Sequence, residues 1–120
     1  MNSLQKDLEN LGAITVDVMN LCESMNIKTS AGKTFVRFAL ANALLMERKQ
    51  LDYGPKNMSA FGSFGAVVRM SDKIERLKHL YTIKGRKKKT INESIIDTFR
   101  DSSNYGIIAS MLELGQWPDV

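Results

Sequence analysis

The sequence predicts an all-α fold, a small bundle of about four helices in a single domain. Three observations predict it. The 120 residues are enough for one core and too few for two ordinary domains. Only Pro55 and Pro118 interrupt the chain, and its abundant Leu, Met, Ala, Ile, Lys and Glu suit helix. Apolar residues recur at three- and four-residue steps over long stretches, which is the spacing of one helix face.

Each element follows from that spacing. Over residues 4–25, Leu4, Leu8, Leu11, Ile14 or Thr15, Val18, Leu21 or Cys22, and Met25 form the stripe of a first amphipathic helix. Residues 26–33 break the period, and Thr29 or Ser30 can cap a second helix that begins near Thr34 and ends around Leu51. This helix carries Phe35, Phe38, Ala39, Leu45 and Met46 toward a core, with Asn42 as the polar interruption. Asp52-Tyr53-Gly54-Pro55-Lys56-Asn57 then reads as a tight turn, because glycine tolerates unusual φ and proline forbids continuation of the helix. Phe61-Gly62-Ser63-Phe64-Gly65 reads equally as a connector or as the strained start of the third helix.

Val67, Met70 or Ser71, Ile74, Leu77 and Leu80 or Tyr81 mark that third helix over residues 66–81, and a basic loop follows over residues 82–89. In Thr90-Ile91-Asn92-Glu93, Glu93 can reach back to the Thr90 amide as a capping box, with Asn92 as the rival cap. The fourth helix runs to about Leu114, where Gly115 suits the left-handed residue that closes a helix and Trp117 can fold back onto the bundle.

Composition narrows the function classes. Apolar residues make up 43% of the chain but never form the run of roughly 20 that a membrane span needs, so a soluble chain is expected. The N-terminal residues lack the basic and apolar regions of a secretory signal, so the expected location is the cytoplasm, that of the host cell if a phage encodes the chain. Cys22 is the sole cysteine, which rules out an internal disulfide and any multi-cysteine metal site and leaves packing as its role. The net charge of +4 admits a polyanion, but the excess sits in Lys84, Arg86, Lys87, Lys88 and Lys89. No cationic face with interleaved aromatics accompanies it, so nucleic acid ranks low as a partner.

The chemistry-bearing residues lie on the last two helices. Glu93, Asp97 and Asp101 recur every four residues and stack three carboxylates in one row, with Asn104 and Tyr105 one turn on. Like charges so spaced cost a few tenths of a kcal/mol each, so a cation or a basic helix is expected opposite. Asp72, Glu75, Arg76 and His79 share a face of the third helix, with Arg69 one turn before. Antiparallel packing of the two helices would let the acidic rows converge on Mg²⁺ or Mn²⁺, which takes oxygen ligands and bridges to substrate phosphates. The plainer alternative is a salt-bridged surface in which Arg69, Lys73, Arg76 and Arg100 pair with these acids. Ser30-Ala31-Gly32-Lys33-Thr34 has the look of a P-loop tail, but Ile27 stands where that motif needs glycine and a helix precedes it instead of a strand.

Four phrases fall within residues 48–117: Asp52-Tyr53-Gly54-Pro55-Lys56-Asn57; Phe61 through Gly65; Val68-Arg69-Met70-Ser71-Asp72-Lys73-Ile74-Glu75-Arg76-Leu77; and Asn92-Glu93-Ser94-Ile95-Ile96-Asp97-Thr98, continuing through Asp101 to Asn104-Tyr105. In this order they resemble the first nucleotide modification associated domain family, a phage family long catalogued as a domain of unknown function. A weaker similarity runs to the all-helical nucleoside triphosphate pyrophosphohydrolases of the MazG and dimeric dUTPase type. Those enzymes hold Mg²⁺ with acidic pairs on neighbouring helices, whereas the second helix here offers Glu47 alone.

The resemblance implies a phage-type protein that handles a small-molecule nucleotide in nucleotide or DNA modification, with Mg²⁺- or Mn²⁺-dependent (pyro)phosphohydrolysis as the candidate reaction. Asp72, Glu75, Glu93, Asp97 and Asp101 would be its metal or polar ligands. Lys56, Arg69, Lys73 and Arg76 would meet phosphates, Tyr53 would stack on base or ribose, and Asn57 and Asn104 would supply hydrogen bonds. The alternatives are a protein that binds a nucleotide or host defence signal and sequesters it unchanged, and an accessory subunit of a modification enzyme. Self-assembly into a homo-oligomer is expected under each, since a short bundle gains core and site walls by pairing.

Overall fold

A computed structural model describes residues 2–12, 15–83 and 89–118 and is all-α: among these residues there are six helices and no strand. They are α1 (Ser3–Gly12), α2 (Thr15–Ser24), α3 (Ser30–Tyr53), α4 (Lys56–Ser59), α5 (Gly62–Thr82) and α6 (Lys89–Glu113). The count exceeds the expected four for two reasons. The stretch read as one helix over residues 4–25 is described as α1 and α2, with Ala13 and Ile14 outside the described residues. Pro55, with φ −73°, also starts the single turn of α4, for which its ring is pre-set. No helix among the described residues is long and apolar enough to cross a membrane.

The chain divides into two compact units, Met1–Glu47 and Arg48–Val120. In the first, Asn2 and Gln5 cap α1 reciprocally: each backbone amide donates to the other's side-chain carbonyl, at 2.9 and 2.8 Å. Leu11, Val18 and Cys22 are buried as the stripe requires. Asn26 takes φ 58° and closes α2, its amide donating to the Glu23 carbonyl and that of Ile27 to the Cys22 carbonyl. Thr29 is the cap of α3, its hydroxyl accepting from the Gly32 amide at 2.9 Å, and the helix begins at Ser30, a turn before Thr34.

The core assigned to α3 needs correction. Phe35 is 74% exposed and Phe38 41%, while Ala41 is fully buried.

In the second unit Gly54, at φ 75°, ends α3 by donating its amide to the Gln50 carbonyl at 2.8 Å. The segment left open over residues 61–65 is the start of α5. Gly62 there takes φ 62°, and a Cβ on Gly65 would lie 2.9 Å from that of Phe61, so both glycines have a steric reason. Helices α5 and α6 pack antiparallel: Ser63 meets Glu113 at one end, Lys73 meets Asp101 in the middle, and Leu77, Leu80 and Ile95 cluster with Ile83 and Ile91 at the other.

The buried stripe of α5 runs through Ala66, Leu77 and Leu80, with Lys73 half-buried between them, whereas Val67 and Ile74, expected in the core, are about half exposed. Helix α6 is already formed at Lys89, so Thr90 lies inside its first turn, where its carbonyl accepts from the Ser94 hydroxyl, and does not act as a cap. Gly115, at φ 66°, closes α6 as expected, with its own amide donating to Leu112 and that of Gln116 to Met111. The cationic cluster over residues 84–88 lies outside the described residues.

Candidate functional site

The site residues proposed from sequence all fall in the second unit, where the structure gathers some and separates others. Arg69 stands one helical turn before Lys73 on the inward side of α5. Its Nη2 donates to the Asn57 carbonyl at 3.1 Å and to Asn57 Oδ1 at 3.4 Å, which ties α5 to the turn that carries Tyr53, Lys56 and Asn57. On α6, Asp101 Oδ2 lies 3.2 Å from Lys73 Nζ, and both side chains are about three-quarters buried. One turn further along the same face of α6, Asn104 is buried. Thr98, also buried, donates to the Ser94 carbonyl at 2.6 Å and accepts through its own carbonyl from Ser102 at 3.0 Å. The middle of the α5–α6 contact is therefore a polar seam, bounded by the leucine and isoleucine cluster at one end.

The turn is latched from the C-terminus. The left-handed Gly115 reverses the chain, and the Trp117 indole Nε1 then donates to the Pro55 carbonyl at 2.9 Å. Tyr53 is 62% exposed, with Lys49 Nζ 6.0 Å from its ring centroid, so its ring is accessible and already sits beside a cation. Lys56 is exposed at the start of α4.

The remaining candidates stand apart from the seam. Asp72, Glu75 and Arg76 are exposed, and Glu75 pairs with Lys78 of its own helix at 3.2 Å. Asp97 is exposed and Glu93 half-buried, so the row of three carboxylates is split: Asp101 turns inward while Asp97 faces out. Among the described residues no three His, Cys, Asp or Glu side chains gather as a metal-holding group. Asp101 has the partner that the salt-bridged alternative proposed for such acids, a lysine of α5. His79 is exposed on α5.

The sequence offers Arg100 as a pairing cation, Trp117 as a residue that folds back and Lys73 as a phosphate contact, but not their burial or partners, and it gives Thr98 no role. Arg100 and Thr98 are buried polar residues of α6, and each has partners. The Trp117–Pro55 hydrogen bond spans 62 positions, which no local pattern encodes. The inward turn of Lys73 did have a signal: it lies four residues before Leu77 and seven after Ala66, on their stripe.

No protein-family model matches the chain, and neither a curated protein nor a solved structure matches it.

Proposed function

We propose that the second unit binds a nucleotide where the turn over residues 53–57 meets α5 and α6, and that the protein acts in nucleotide or DNA modification of the phage type. The observation that carries this reading is the Arg69–Asn57 contact. It ties a guanidinium of α5 to the turn that also carries an exposed Tyr53 and an exposed Lys56, residue types that suit phosphate pairing and base or ribose stacking. The resemblance over residues 48–117 to the nucleotide modification associated family supports it, and that span begins where the second compact unit begins.

Mg²⁺ or Mn²⁺ would enter with the phosphates. Mg²⁺ keeps several waters and needs only one or two carboxylates beside the substrate's own oxygens, a role open to Asp97 or Asp101, with Asp72, Glu75 and Glu93 the other acids proposed. The ion would supply charge neutralisation and an activated water for (pyro)phosphohydrolysis. Capture without turnover is the second reading. It is favoured by the engagement of Asp101 with Lys73 and of Glu75 with Lys78, which leaves these acids committed to cations.

Incubation of the protein with a nucleotide panel and either metal, read by mass spectrometry of products and of the protein-bound fraction, separates the readings. Metal-dependent release of phosphate or pyrophosphate that Asp97→Asn abolishes establishes hydrolysis, and undiminished turnover in that variant removes Asp97 from the reaction. Retention of one nucleotide unchanged establishes capture. Neither outcome leaves the accessory-subunit role. We also propose that copies of the chain associate, supported by the exposure of Phe35, Phe61 and Phe64; a monomeric sedimentation profile overturns it.

A further inference from the structure

The first unit contains a cavity of about 450 Å³ that the nucleotide reading does not use. That size falls within the roughly 300–1,000 Å³ typical of sites for small organic molecules. Its floor is aliphatic, built from Leu11 of α1, Val18 and Cys22 one turn apart on α2, and Ile27 of the following connection. The left-handed Asn26 folds Ile27 back toward Cys22, and the bare Gly32 leaves Ile27 room: a Cβ there would lie 2.9 Å from Ile27 Cγ2. Among the described residues no aromatic ring lines the cavity, so these residues offer a nucleobase nothing to stack on.

Lys28, Lys33 and Arg37 also line the cavity and are exposed, and among the described lining residues Glu23 is the one carboxylate. Lys33 and Arg37 are four residues apart on α3 and so share a face. Neither of them, nor Lys28, forms an ion pair with a described residue. An aliphatic floor under uncompensated cations is complementary to a molecule with an apolar body and a negative head.

We propose that the first unit binds a free single-chain amphipathic anion, its alkyl chain over Val18, Cys22 and Ile27 and its anionic head at Lys33 and Arg37. The site is independent of the nucleotide reading, and neither stands or falls with the other. Calorimetric titration of the full chain with decanoate tests it, with decanol as the uncharged control. Alkylation of Cys22, the only cysteine, by N-ethylmaleimide serves as the local reporter.

Saturable one-to-one decanoate binding is expected, together with slower Cys22 alkylation in its presence. Affinity should fall roughly tenfold or more in the Lys33→Gln, Arg37→Gln double variant, with decanol binding unchanged. Both substituted positions are exposed on α3, so the variant should retain the helical circular dichroism of the parent. Lack of saturable decanoate binding overturns the proposal. So does binding that leaves the Cys22 rate unchanged or is undiminished in the double variant. Co-sedimentation with anionic phospholipid vesicles in place of decanoate binding overturns it in favour of a membrane surface.

Discussion

The two compact units treat their cations in opposite ways. In the unit Met1–Glu47, Lys28, Lys33 and Arg37 stand exposed around an apolar cavity without an ion-pair partner among the described residues. In the unit Arg48–Val120, Arg69 and Lys73 turn inward and are each held by a named group, Asn57 and Asp101. A held cation is already oriented when a ligand arrives and loses little side-chain freedom on binding, whereas an exposed lysine must be ordered at that moment. If both proposals hold, the seam is the more preorganised of the two sites and the cavity rim the more adaptable.

Substitutions in each unit test this contrast. The largest effect is expected where the second unit's rigidity originates. Leu77→Ala should lower unfolding free energy by about 2–5 kcal/mol in urea melts, because it opens a void in the cluster that holds α5 against α6. A loss below 1 kcal/mol would mean the seam does not depend on that cluster. Next comes Arg69→Ala. It should weaken nucleotide retention roughly tenfold or more, the value of a charge-assisted contact, and affinity equal to the parent's would remove Arg69 from the site.

Trp117→Phe follows. It keeps an aromatic ring, though a smaller one, and deletes the donor to the Pro55 carbonyl, so at least about 1 kcal/mol of stability should go with it. If thermal melts of this variant and the parent coincide, the latch contributes nothing. The smallest effect is expected for Lys78→Gln, which removes an exposed pair worth a few tenths of a kcal/mol, and that difference should disappear in high salt.

Much of this architecture is legible in single stretches of sequence, and the failures share a cause. Gly115 and Pro55 act as their backbone chemistry dictates, and so does Thr29, because caps and turns are decided by residues a few positions apart. The third helix was identified correctly, but its inward face was misjudged at Val67 and Ile74. Two apolar stripes compete on α5, and the choice between them depends on which one α6 covers. The same competition left Phe35 exposed where a core was expected. For the candidate site, the row of Glu93, Asp97 and Asp101 was visible at its four-residue spacing, yet its division between an outward Asp97 and an inward Asp101 paired with Lys73 was not.

Local pattern alone suffices for the helical class, the breaks near residues 26–33 and 52–57, and the C-terminal closure at Gly115, since each follows from φ preference, capping or periodicity within about one helical turn. Only the tertiary structure decided that Arg69 meets Asn57, that Lys73 meets Asp101, and that Trp117 reaches Pro55. The physical reason is distance along the chain: these contacts join residues 12, 28 and 62 positions apart, and a polar side chain acquires its partner only when packing of the apolar face has set the rotation of its helix.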